Sequence, residues 1–181
     1  MKKRAKTLLP LLMGLSLLVS PRAPLLAQTL EEQTVLAALS LNIIRFTSWP
    51  EITQKQMRGT LEFCVVGDNV IQEAFADIDQ KSVGNYTLRV INLTRLRNYE
   101  TCQVLYISGL KQNILLQVLT EIKKQPLLTI GEGSDFALQG GMVGLENVEG
   151  KFTLHVNLKA VRESGLNISA RLLKLAKIIG N

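Results

Sequence analysis

Leu61-Glu62-Phe63-Cys64-Val65-Val66-Gly67-Asp68 carries the first decisive change of period in the chain. Its first six residues, rich in β-branched and aromatic side chains, read as a strand. Gly67 ends it and Asp68 offers a cap for a helix. Ile71, Ala74, Phe75 and Ile78 then recur at i, i+3, i+4 and i+7, one face of that helix. A strand that runs straight into a helix is the first half of a βαβ unit, and the alternation continues downstream. Residues 86–93 and 103–107 read as further strands. Leu115, Val118, Leu119 and Ile122 mark a second amphipathic helix, and 126–130 a buried strand after it. Residues 142–147 and 151–158 flank Glu149-Gly150 and read as a hairpin.

Upstream, Val35, Leu36, Leu39, Ile43 and Phe46 place a buried helix over 30–46, opened by a capping box at Thr29 and Glu32 and stopped by Pro50. Downstream, two short helices split by Gly165 close the chain, the second carrying Ile168, Leu172, Leu175, Ala176 and Ile179. Alternating strands and helices imply parallel pairing with right-handed crossovers, and the hairpin adds antiparallel strands. The expected fold is a single-domain α/β layered sandwich: a mixed sheet of about six strands, helices on both faces, and a C-terminal hairpin followed by short helices.

The chain has 181 residues, 46% hydrophobic and 20% charged, the profile of a packed core and not of a disordered chain. Its formal charge of +6 suggests a nucleic-acid binder, but the charge is misplaced for that. Lys2, Lys3, Arg4, Lys6 and Arg22 fall in residues 1–27, which hold no acid, so residues 28–181 are almost neutral at +1. No basic surface for phosphates remains, and nucleic acid is not an expected partner.

Residues 1–27 read instead as a secretory signal: a cationic start, an apolar run over 8–19, and Leu25-Leu26-Ala27 before a cleavage site. The run is shorter than a membrane span needs, and no cysteine follows Ala27 to carry a lipid. The expected domain layout is a signal at 1–27 and one α/β domain at 28–181, exported to a bacterial periplasm.

Export bears on Cys64 and Cys102, the only cysteines. In an oxidising compartment a structural disulfide is the favoured reading. A redox pair normally shows Cys-x-x-Cys spacing, and a zinc site would find only His155 to join the two thiolates. The sequence shows no catalytic set. Strand alternation puts His155 opposite Phe152, Leu154, Val156 and Leu158, on the surface or on a second sheet face. Gly131-Glu132-Gly133-Ser134-Asp135 follows a strand but lacks the phosphate-loop pattern, and its two acids would repel an anion. Either these glycines and Gly140-Gly141 serve tight turns, or the segment up to Met142 forms a small-molecule site beyond the strand ends. Trp49, the sole tryptophan, reads as a core cap or as an interface anchor. Arg171, Lys174 and Lys177 read as the solvated outer face of the last helix or as a contact for an acidic partner or lipid headgroups.

Several stretches together resemble the YfiR family of periplasmic proteins. They are Phe46-Thr47-Ser48-Trp49-Pro50, Phe63-Cys64-Val65-Val66-Gly67-Asp68, Cys102-Gln103-Val104-Leu105-Tyr106-Ile107-Ser108, the run from Leu127 through Phe136, Gly140-Gly141-Met142, Asn157-Leu158, and Gly165-Leu166-Asn167-Ile168-Ser169. The resemblance covers nearly all of 28–181, in order. It implies a regulator without enzymatic activity or cofactor, acting on the periplasmic part of an inner-membrane signalling protein such as a diguanylate cyclase. An outer-membrane lipoprotein that sequesters the regulator, a homodimer, and pairing of Cys64 with Cys102 are implied in the same way. The alternative expectation is a periplasmic small-ligand sensor whose occupancy controls a membrane histidine kinase or other partner. The residues expected to bind a partner or ligand are Trp49, Gly131, Gly133, Asp135, Gly140, Gly141 and Met142, with no metal site.

Overall fold

Leu25-Leu26-Ala27-Gln28 are good helix formers, and in the computed structural model, which describes residues 25–94 and 98–180, they extend the first helix backwards. Helix α1 spans Leu25–Arg45, so Thr29 lies inside it and is not the expected cap. The proposed cleavage site falls at the edge of the described residues, and the rest of the signal lies outside them. Strand β1 (Thr47–Ser48) and helix α2 (Glu51–Met57) come next. Then comes the decisive unit, β2 (Thr60–Val66) and α3 (Asn69–Ala76), in which the Asp68 side chain accepts the Ile71 N–H and caps the helix as its position implied.

The chain continues through β3 (Ser82–Val83), β4 (Tyr86–Asn92), a short 3-10 turn at Tyr99–Thr101, β5 (Val104–Ile107) and α4 (Gln112–Glu121). It ends with β6 (Leu128–Glu132), α5 (Ser134–Leu138), β7 (Val143–Val148), β8 (Lys151–Asn157), α6 (Leu158–Glu163), β9 (Asn167–Ile168), α7 (Ala170–Leu173) and β10 (Ala176–Ile179).

The main sheet has eight strands in the order β10-β8-β7-β6-β5-β2-β4-β3, two more than expected, because short β3 and β10 add an edge on each side. Five consecutive neighbours, β4-β2-β5-β6-β7, are mutually parallel, and β8 runs antiparallel to β7. The turn between β7 and β8 has Glu149 at φ 52° and Gly150 at φ 81°, the left-handed pair of a tight hairpin. The expected final helix is corrected: only Ala170–Leu173 is helical, and Ala176–Ile179 pairs in parallel with β8. Ile178 and Ile179 are β-branched and the stretch is short, so the open edge beside β8 wins over a helical spacing of apolar residues. Lys177 therefore stands on a strand beside His155 and not on a helix.

The two sheet faces are covered unequally. On one, α1 and α3 pack over Phe63, Tyr106, Leu88, Ile130 and Leu145, with Leu36, Ile43, Ile44 and Phe75 from the helices. The Phe75 ring meets Phe63 edge-on at 5.6 Å and leans on Tyr106 at 4.3 Å. On the other face a smaller cluster joins Cys64, Val66, Leu105 and Ile107 to α4 through Val118, Leu119 and Ile122, and to Phe136 of α5. The link from β4 to β5 brings no α-helix to this face among the described residues. A bond between Cys64 and Cys102, with Cα atoms 5.9 Å apart, fastens it instead.

Candidate functional site

The glycine-rich segment after β6 contains a helix where only turns or a loop were expected. Gly133 takes φ 80°, α5 begins, and Gly140 takes φ 110° to release the chain towards β7. The other glycines make room. A Cβ on Gly131 or on Gly141 would collide with the Phe136 ring from either side, and one on Gly144 would strike the Gly133 carbonyl. Three missing side chains thus let α5 lie directly on the sheet, with Phe136 buried as its anchor. Hydrogen bonds lock the seat: Gly133 N–H to the Leu145 carbonyl at 2.8 Å, Gly141 N–H to the Phe136 carbonyl at 3.0 Å, and Met142 N–H to Thr129 Oγ1 at 2.9 Å.

Clefts open at both ends of α5. A groove of about 210 Å³ lies at the carboxyl ends of β5 and β6, between Leu115, Ser108, Glu132, Asp135 and Phe136. A larger cleft of about 300 Å³ lies at the opposite end, between the close of α4, Gly140, Met142 and α6. Gln139 lines both. At the point where the strand order reverses, between β2 and β5, Ile71 packs on Gly67 and the Gln72 amide donates to the Gly67 carbonyl at 3.1 Å.

Beside α5, Glu146 of β7 accepts from Ser134 Oγ at 3.1 Å and meets His155 Nε2 at 2.8 Å. The His155 hydrogen bond, then that of Ser134, holds the Glu146 carboxyl below the usual carboxylate range. His155 is 6% exposed, so the second sheet face is correct and the surface reading is not. Activation of a serine needs the imidazole between hydroxyl and acid. Here the carboxylate stands in the middle, an order that braces α5 against the hairpin and leaves Ser134 an ordinary hydroxyl. On the thicker face Tyr106 donates to Glu132 at 3.0 Å, and burial pushes its phenol above the ordinary range. Among the described residues no group of three histidine, cysteine, aspartate or glutamate side chains could hold a metal ion.

The structure brings Gly131, Gly133, Asp135, Gly140, Gly141 and Met142 together around α5, and sets Trp49 apart from them. Trp49 is 6% exposed, its indole N–H donates to the Gln103 carbonyl at 3.3 Å, and it lies near the amino end of β5, away from the carboxyl-end groove. Asp135 is exposed and Met142 is buried in the cleft wall. The lysines of the larger cleft, Lys123, Lys124 and Lys159, have no signal in the sequence, since α4 and α6 are far apart along the chain and only the fold sets them side by side.

A family model described as YfiR/HmsC-like matches residues 33–177, nearly the whole described domain. The chain belongs to the YfiR/HmsC-like family. No curated protein matches it. Among the described residues no helix is long and apolar enough to cross a membrane.

Proposed function

We propose that this YfiR/HmsC-like protein is an exported, non-enzymatic regulator that binds the periplasmic segment of an inner-membrane diguanylate cyclase and sets cyclic di-GMP output. The family match over residues 33–177 carries the reading. The surface supports it: Ile114 and Leu116 of α4 and Leu138 of α5 are exposed apolar side chains on the thinly covered face, and Leu138 is 63% exposed. Docking uses this face, with Asp135 beside the apolar side chains and the glycines holding α5 in place. The regulator must prefer one state of its receptor. Swinging a receptor from mostly active to mostly inactive takes about a 10⁴-fold preference, whereas equal affinity shifts nothing.

Deleting the gene and restoring it on a plasmid tests the reading, with cyclic di-GMP measured in both strains. A change of several-fold on deletion, reversed by the intact gene and not by a Leu138→Asp variant, is expected. Unchanged cyclic di-GMP in both strains contradicts it. The larger cleft, walled by Gly140 and Met142, favours a second reading as a ligand sensor that acts on a histidine kinase or another membrane partner.

A further inference from the structure

The larger cleft has a composition that selects a ligand. Its lining joins the apolar side chains of Leu119 of α4, Ile122 just after it, Met142 before β7 and Ala160 of α6 to the polar Thr129 and Asn157. Its rim carries Lys123, Lys124 and Lys159 against a single acid, Glu163. That acid reaches Lys123 only at 3.8 Å, between side chains 62% and 30% exposed, a pair too solvated to neutralise the rim. At about 300 Å³ the space is at the small end of ligand pockets.

Two polar side chains of this lining, Thr129 and Gln139, have hydrogen-bonding capacity left over. Thr129 is 2% exposed and accepts the Met142 N–H, while its own hydroxyl proton meets no acceptor among the described residues. The Gln139 amide oxygen is buried without a partner. Turned over, the same amide offers N–H donors at that point. Donors and ammonium groups beside apolar side chains match a carboxylate on a hydrocarbon body.

We propose that the cleft between α4 and α6 binds a small organic anion, a monocarboxylate whose apolar part lies on Ile122 and Met142 and whose charge meets Lys159 and the Thr129 hydroxyl. The site stands independently of docking to a membrane partner, since its lining is complete within this chain.

The test is amide NMR of the full chain purified from the periplasm, titrated with hexanoate, hexylammonium and sulfate. Hexanoate is expected to shift the Thr129, Met142 and Ala160 amides saturably, with hexylammonium leaving them in place and sulfate binding far more weakly. Lys159→Gln, at an exposed position, should weaken hexanoate about threefold, within the range of an exposed ion pair. Ala160→Leu should abolish binding by filling the cleft, and thermal unfolding of both variants checks that each is folded. Unmoved cleft amides in hexanoate overturn the proposal. So does hexylammonium binding equally well, sulfate alone binding as tightly, or a folded Lys159→Gln variant that binds unchanged.

Discussion

The two faces of the one sheet are built by different means. The α1–α3 face is made by accumulation: Phe63, Phe75 and Tyr106 interlock under two helices, and Leu36, Ile43 and Ile44 complete the layer. The α4–α5 face is made by subtraction and fastening. Glycines at 131, 141 and 144 remove side chains so that a five-residue helix can sit close, and a disulfide secures the helix-poor link to β5. Packing of the first kind leaves a smaller opening, about 150 Å³ beside Trp49 and Val83, since close-packed cores tolerate few voids. The second kind leaves clefts of about 210 and 300 Å³ at the two ends of α5. On the proposed reading, the first face is the scaffold and the second the recognition surface.

If the first face is the scaffold, the largest loss should come from emptying it. Phe75→Ala is expected to cost about 3–5 kcal/mol by cavity formation, read as a lower midpoint in chemical denaturation. Breaking the fastening comes next. Cys102→Ser should cost about 2–4 kcal/mol, since the bond joins residues 38 apart in the chain, and reductant should lower the melting temperature of the wild type but not of the variant. A smaller effect sharpens the subtraction argument. Gly144→Ala, which drives a methyl into the Gly133 carbonyl, should cost about 1–3 kcal/mol and speed amide exchange in α5 more than in α3.

Acid should act on both faces. Asp79, which accepts the Val90 N–H at 2.8 Å, is held below its usual range chiefly by that bond, as Glu146 is by His155. A lowered folded value means stability present above the unfolded carboxylate range and lost as pH falls through the folded one. Asp79→Asn and Glu146→Gln should therefore each flatten the fall of melting temperature in acid, and an unchanged slope in both would break the assignment. The smallest effect belongs to the exposed Arg89–Glu62 pair across β4 and β2. Arg89→Ala should change stability by under about 0.5 kcal/mol in the same denaturation assay.

Much of this architecture was legible in the sequence because periodicity reports burial. The βα unit from Leu61 to Ile78, the hairpin at Glu149-Gly150 and the facing of His155 away from Val156 all came from local spacing. What spacing could not show was tertiary. Leu175, Ala176 and Ile179 have helical intervals, yet an unpaired β8 edge drew the stretch into a strand. Around Phe136 the glycines looked like turn formers, whereas Gly131 and Gly141 are small because a ring lies between them. The lysine-rimmed cleft had no local signature at all, since β6, α5 and the whole β7–β8 hairpin separate α4 from α6 along the chain.

The central claim is that the thinly covered face docks a membrane partner. Amide hydrogen exchange of the full chain, alone and with the periplasmic segment of the signalling protein encoded beside it, tests this most directly. The account predicts slowed exchange in α4 and α5 on complex formation, with α1 and α3 unchanged. Slowing confined to α1 and α3, or no slowing anywhere, would contradict it.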